Sequence, residues 1–179
     1  SGSSAGSGSA TSAGLVPFAL GTETLGSITS PSTRNGVTGL RPTYGRVSRH
    51  GVMSLSWSMD KVGPLGRNAE DCAIVFEAIQ GKDKNDLTTI DLPFGVDWKK
   101  DIKNLRVAYL KNDIEKDTTE SGENLRNALK SLKGLGVEPT AVEMPKDVPY
   151  RGFDIILRAE AGTFFDELVR SGGVDVMVE

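Results

Sequence analysis

The sequence predicts an α/β fold with a mixed β-sheet flanked by helices. Three observations carry that expectation. From residue 105 a strand-like run, LRVAYL, precedes a helical stretch over roughly 121–135 and a second strand-like run, VEPTAVEMP, which is the order of a βαβ unit. The stretch NAEDCAIVFEAIQG repeats apolar residues at helical spacing. The composition, 37% hydrophobic and 25% charged over 179 residues, is that of a globular chain long enough for one sizeable core.

Taken in order, the elements begin with SGSSAGSGSATSAG. By composition this is a Gly/Ser tether. Residues 5–13 hold no proline, however, and small residues let a helix approach neighbouring backbone closely. The stretch therefore also fits a buried helix, with Ser3 or Ser4 near its N-cap and Gly14 closing it. LVPFALGTE reads as a short strand entered by Pro17. Residues 21–33 read as a loop with turn signals at Leu25 and Gly26 and at Ser30 and Pro31. GVTGLRPTYGRVS alternates strand formers with glycines, as in a bent hairpin or a walled loop. The helix after it has Asn68 as N-cap, Glu70 and Asp71 at its positive end, and Cys72, Val75, Phe76 and Ile79 on one face, with Gly81 as its stop. Residues 82–104 are a polar connecting segment, and 105–179 hold the βαβ unit and a further helix over about 153–170. Ile156, Phe164, Leu168 and Val169 are the main apolar residues of that helix. The closing GGVDVMVE has strand-like spacing.

Composition also excludes function classes. A net charge of −3 gives no support for nucleic-acid or anionic-membrane binding. No apolar run approaches membrane-spanning length. The single cysteine, Cys72, precludes an internal disulfide and points to a reducing, cytoplasmic setting; its place on the inward helix face reads as a structural thiol. CxxC, HExxH and Walker patterns are missing, so neither a metal nor another cofactor is expected. His50 is the only histidine and reads as a surface or packing residue. The chain starts at Ser1 without signal-peptide character, and both ends read as interruptions of something longer.

An acyl-transfer site without histidine needs another base for its serine. A neutral lysine, acting directly or through a second hydroxyl, can serve. It also needs N–H donors aimed at the developing oxyanion. The run Thr24, Leu25, Gly26, Ser27 can supply such donors from a tight loop, although Gly-Ser loops are commonly plain turns.

SGSSAGSGSATSAGLVPFALGTETLGSITSPSTRNGVTGLRPTYGRVSRHGV, followed by SWSMDKVGPLGRNAEDCA, resembles the signature region of the amidase signature family. The family's pattern is a GGSSGGS-like start, then GTDTGGSIR, then GLKPTYGRVSR, then an SxDxxGP run. The resemblance spans about residues 1–81 as a core segment; residues 105–179 resemble the family's later region loosely, as a continuation of the same domain. It implies the amidase signature fold, incomplete in this chain, and cleavage of a small-molecule carboxamide through a serine acyl-enzyme. By position, Ser27 takes the place of the nucleophile. Ser3 takes that of the serine behind a cis peptide bond that relays the proton, its hydroxyl about 2.6–3.2 Å from that of Ser27. The N–H groups around Thr24, Leu25, Gly26 and Ser27 would form the oxyanion hole, with Ser4 and Thr22 supporting the site by hydrogen bonds. The family's lysine lies well upstream of the first motif, outside this chain, so the chain alone is expected to be inactive.

The sequence departs from the family pattern at Ser1 and Leu25, both usually glycine, at Glu23, usually aspartate, and at Thr29, often arginine. These changes bear on substrate class more than on reaction type. Lys61 reads as an exposed lysine, and Asp60, Gly63 and Pro64 as structural, with Asp60 tying down a loop. Two alternatives stand beside the amidohydrolase. One is the glutaminase subunit of a tRNA-dependent amidotransferase, which needs partner subunits. The other is a non-catalytic amidase-like binding module, for which Leu25 is the argument.

Overall fold

The structure, a computed structural model, describes residues 2–177, which group into two units. The first unit runs to Val96 and resumes at Arg151; the second is Asp97–Tyr150.

The small-residue opening is a helix, α1 (Ala5–Ser12), and not a tether. It has no apolar stripe, so close approach holds it. A Cβ on Gly8 would stand 3.3 Å from the Pro31 carbonyl oxygen and 2.9 Å from Asn35 Nδ2. Hydroxyls complete the contact: Ser7 Oγ donates to the Leu20 carbonyl (2.7 Å) and Ser12 Oγ to that of Asn35 (2.8 Å). Strand β1 (Phe18–Glu23) follows, as its composition predicts.

Where the sequence reads as a loop, the chain forms a second helix, α2 (Thr29–Asn35). Pro31 does not prevent it, because the first turn of a helix leaves its N–H groups without intrahelical partners and a proline there forfeits nothing. Two of those orphan donors, the N–H groups of Ile28 and Thr29, go to the Glu23 carboxylate. Gly36, in the left-handed region at φ 63°, ends the helix.

Strands β2 (Thr38–Gly39) and β3 (Lys61–Gly66) complete an antiparallel sheet in the order β1-β3-β2. The register of β1 on β3 sets Glu23 opposite Lys61 and Thr22 opposite Val62. KVGPLG has little strand composition, yet it is the central strand. Pro64 is tolerated there because its carbonyl accepts from Leu40 N (2.9 Å), on the β2 side, and its nitrogen faces the same way. Its missing N–H therefore costs no bond to β1. Helix α3 (Ala69–Ile79) is capped as the sequence predicts, with the Asn68 side chain accepting from Asp71 N (2.8 Å), and it buries Cys72, Val75 and Phe76. Val47, Val62 and Phe76 form one core cluster, with Leu40, Ile79 and Phe94 against it, and Ile28 and Leu65 are fully buried. Phe94 meets Phe76 edge-to-face at 4.8 Å.

The second unit is the βαβ arrangement read from the sequence. It contains β4 (Ala108–Leu110), α4 (Lys111–Glu115), α5 (Glu120–Gly134) and β5 (Thr140–Val142), with β4 and β5 parallel. Thr119 caps α5 by accepting from Gly122 N, and Val137 is buried.

The last segment groups with the first unit rather than with the βαβ unit it follows. The single helix expected over 153–170 breaks at Phe165 into α6 (Gly152–Phe164) and α7 (Asp166–Arg170). Ile156, Phe164, Leu168 and Val169 stay exposed among the described residues. The strand-like spacing at the end corresponds to a 3-10 turn, Gly173–Val176, and the two residues after Met177 lie outside the described residues. The whole is a mixed α/β chain whose sheets are flanked by helices.

Candidate active site

Three segments of the first unit meet where α1 begins and β1 ends. Residues 2–4 lie along Gly26 and Ser27: Ser4 N donates to the Ser27 carbonyl (3.3 Å), and a Cβ on Gly2 would stand 3.3 Å from Ser27 Cα. The Ser4 hydroxyl is buried and ties α1 to β1 twice, donating to the Thr22 carbonyl (3.0 Å) and accepting from Thr22 N (3.1 Å). No hydrogen bond joins the hydroxyls of Ser3 and Ser27 among the described residues; main chain brings the two together. Nor is any peptide bond cis among them, so the Gly2–Ser3 bond is trans, against the expectation for Ser3. Trans is the favoured state of a non-proline amide. The chain turns at Gly2 instead, whose φ of 71° suits a residue without a Cβ.

The loop between β1 and α2 carries Thr24, Leu25, Gly26 and Ser27. The main-chain N–H groups of Leu25, Gly26 and Ser27 have no acceptor among the described residues, whereas those of Ile28 and Thr29 are taken by Glu23 Oε2 at 2.8 and 2.9 Å. Glu23 is fully buried, and its other oxygen accepts from Arg41 (3.1 Å). Burial works against its charge, but the N–H groups of Thr29 and Ile28, with Arg41, outweigh it and hold the carboxyl below its ordinary value.

Asp60, just before β3, and Lys61, its first residue, hold the same loop. Asp60 Oδ1 accepts from Thr24 Oγ1 (2.5 Å). Its Oδ2 accepts from Leu55 N (2.8 Å), Ser56 N (3.0 Å) and Ser54 Oγ (3.2 Å), so this carboxylate does tie down a loop. Lys61 is half-buried rather than exposed, because the β1–β3 register places it where β1 runs into the loop. Its Nζ donates to the Thr24 carbonyl (3.1 Å) and to that of Met59. Burial and then Arg41 lower its pKa, with Glu23 and Asp60 opposing.

A cavity of about 300 Å³ opens beside these groups, with Ser3, Thr22, Thr24, Arg49, Lys61 and Phe165 on its wall. Arg49 is fixed there by donating to the Trp57 carbonyl (2.5 Å), the Tyr44 hydroxyl (2.9 Å) and Thr88 Oγ1 (2.9 Å). α6 closes one side, since Glu160 accepts from Ser56 Oγ and from Ser58 N (3.1 Å). His50 is exposed and has no place in this cavity. Among the described residues no group of His, Cys, Asp and Glu is arranged to hold a metal.

The family model described as Amidase matches residues 1–167. The chain belongs to the amidase family. Among curated relatives, a glutamyl-tRNA(Gln) amidotransferase subunit from Staphylococcus haemolyticus is 47% identical over 151 residues, which are 80% of this chain and 30% of that protein. Its counterpart from Staphylococcus aureus matches to the same extent. Among solved structures, the corresponding protein from Thermotoga maritima superposes with a TM-score of 0.83 at 36% identity, over 95% of this chain and 40% of that one. The peptide amidase of Stenotrophomonas maltophilia also superposes, with a TM-score of 0.75 at 31% identity, over 93% of this chain and 36% of that one. The chain thus spans about a third of the length of these amidases.

Sequence reasoning missed the fixation of this site by Glu23, Lys61 and Arg49. One signal could have found Glu23: a lone carboxylate among small neutral residues, a few positions before a helix start. For Lys61 no local signal exists, because its acceptor on Thr24 lies 37 positions away.

Proposed function

We propose that this chain carries the nucleophile and relay serines of an amidohydrolase whose full-length protein cleaves a small-molecule carboxamide. The observation that carries the reading is the apposition of residues 2–4 to Ser27, in a loop whose N–H groups at Leu25, Gly26 and Ser27 meet no acceptor among the described residues. Ser27 Oγ attacks the carboxamide carbon. Its proton passes to Ser3 and on to a base, which the family resemblance gives as a lysine upstream of Ser3. The N–H groups of Leu25, Gly26 and Ser27 receive the negative charge that develops on the oxygen. Collapse of the tetrahedral intermediate breaks the C–N bond, the leaving amine takes up the relayed proton, and water hydrolyses the ester on Ser27.

A second reading has a specific support. The curated relatives at 47% identity are amidotransferase subunits, which favours a glutaminase that works with partner subunits and passes its ammonia to an acceptor. Leu25 and Thr29 alter the loop beside the nucleophile, so the choice of amide differs from that of relatives with glycine and arginine there.

The test uses the full-length protein. Ser27→Ala lowers amide turnover by about three orders of magnitude or more and abolishes labelling by a fluorophosphonate probe. Unchanged turnover removes Ser27 as nucleophile. A glutaminase assay with and without partner subunits separates the two readings. The chain alone, without the upstream lysine, shows no appreciable turnover, and turnover equal to that of the full-length protein refutes the relay.

A further inference from the structure

We propose that Lys61 is a positioning residue for the oxyanion loop: its ammonium grips the Thr24 carbonyl and thereby aims the Leu25 N–H. The inference rests on the amidohydrolase reading and assigns a part to a side chain that reading does not use.

Peptide geometry sets the direction of that N–H. The Thr24 carbonyl and the Leu25 N–H belong to one peptide unit, which is trans like every other among the described residues. In a trans unit the two dipoles point opposite ways. Whatever holds the carbonyl therefore fixes the direction of the N–H. Lys61 Nζ donates to that carbonyl at 3.1 Å from the β3 side, which leaves the Leu25 N–H directed away from β3, with no acceptor among the described residues. Packing does not do this work, because Leu25 is 54% exposed.

Two further contacts make the grip rigid. Lys61 Nζ also donates to the Met59 carbonyl, which anchors the ammonium at both ends of a short span. Asp60, the preceding residue, accepts from Thr24 Oγ1 at 2.5 Å, so Thr24 is held by its side chain and its carbonyl together. Asp60 is itself immobilised by three donors from residues 54–56. Without Lys61, Thr24 keeps its side-chain bond, but the peptide unit that follows is free to rotate.

The experiment compares Lys61→Met and Lys61→Arg with the parent in the full-length protein. Three readouts are taken: kcat and KM for amide hydrolysis, the affinity of a trifluoromethyl ketone that binds as a serine hemiketal oxyanion, and Tm. Lys61→Met is expected to lower kcat by about 10- to 100-fold, less than outright deletion of an oxyanion donor. KM stays within about twofold, since the contact matters in the transition state and not in substrate binding. Ketone affinity falls by the same factor as kcat, and Lys61→Arg, which keeps a donor, recovers most of both. A kcat within about twofold of the parent overturns the proposal. So does a loss of kcat with ketone affinity unchanged, which marks damage unrelated to the oxyanion. Full activity in Ser27→Ala would instead defeat the underlying reading, whatever Lys61 does.

Discussion

Replacing Glu23 by glutamine keeps the shape of the side chain and removes its charge, which isolates what that charge contributes. The carboxylate accepts from Ile28 N and Thr29 N through one oxygen and from Arg41 through the other, with no exposure to solvent. A hydrogen bond to a charged acceptor contributes about 1.5–3 kcal/mol and a neutral one about 0.5–1.5, so each of the two N–H bonds loses about 1 kcal/mol. Arg41 adds little, because its side chain is 52% exposed and hydrates once its acceptor is gone. The expected cost at neutral pH is therefore about 2 kcal/mol. Its pH dependence is fixed in sign. The folded pKa of Glu23 lies below the ordinary value of 4.5, so the stabilisation is fully present above that value and is lost as pH falls through the folded one. Urea unfolding of the full-length protein and of Glu23→Gln, followed by circular dichroism across this range, measures both. The gap between the two is constant from neutral pH down to the ordinary carboxyl range and then narrows. A gap below about 0.5 kcal/mol at neutral pH, or one that persists unchanged under acid, refutes the assignment of Glu23 as a charged cap on α2.

Gly63→Ala places a Cβ 2.2 Å from the Leu40 carbonyl oxygen and 2.7 Å from Pro42 Cδ. Main chain cannot yield as a side chain can, so thermal unfolding should show a loss of about 1–3 kcal/mol or more; an unshifted Tm contradicts the close approach of β3 to that segment. Cys72 is 2% exposed, and burial pushes its thiol pKa up, with Asp71 adding to the rise against a hydrogen bond from the main chain at Gly66. Iodoacetamide at neutral pH should leave it unmodified in the folded protein and label it in denaturant; rapid labelling without denaturant contradicts its burial.

Much of the architecture is legible in the sequence where the signal is local. Asn68 caps α3, and Cys72, Val75 and Phe76 lie inward because a 3.6-residue period is a property of neighbouring residues alone. The βαβ unit is legible for the same reason. Local signals fail where tertiary contacts supply what composition lacks. KVGPLG becomes the central strand because β1 and Leu40 satisfy its backbone and because glycine lets the neighbouring chain come close. Residues 29–35 become a helix because Glu23, from the preceding strand, satisfies the N–H groups at its start. The helix expected over 153–170 breaks at Phe165, with no proline to mark the break and only Gly162, three residues earlier and still helical, as a weak point.

At the site the division is the same. The order and spacing of Ser3, Ser4, Thr22 and Ser27 are written in the chain, and they identify the family before any coordinate is known, because motif spacing survives as a linear pattern. Which groups hold those residues in place is decided only when β1 and β3 pair. That pairing sets Lys61 opposite Glu23 and brings its ammonium onto the Thr24 carbonyl and the Asp60 carboxylate onto the Thr24 hydroxyl, contacts that span 37 and 36 positions. A charged side chain reads in sequence as a solvated one, since solvation is its default. Only the folded sheet, by withdrawing water and presenting carbonyls, turns Lys61 from a surface residue into a grip on the loop.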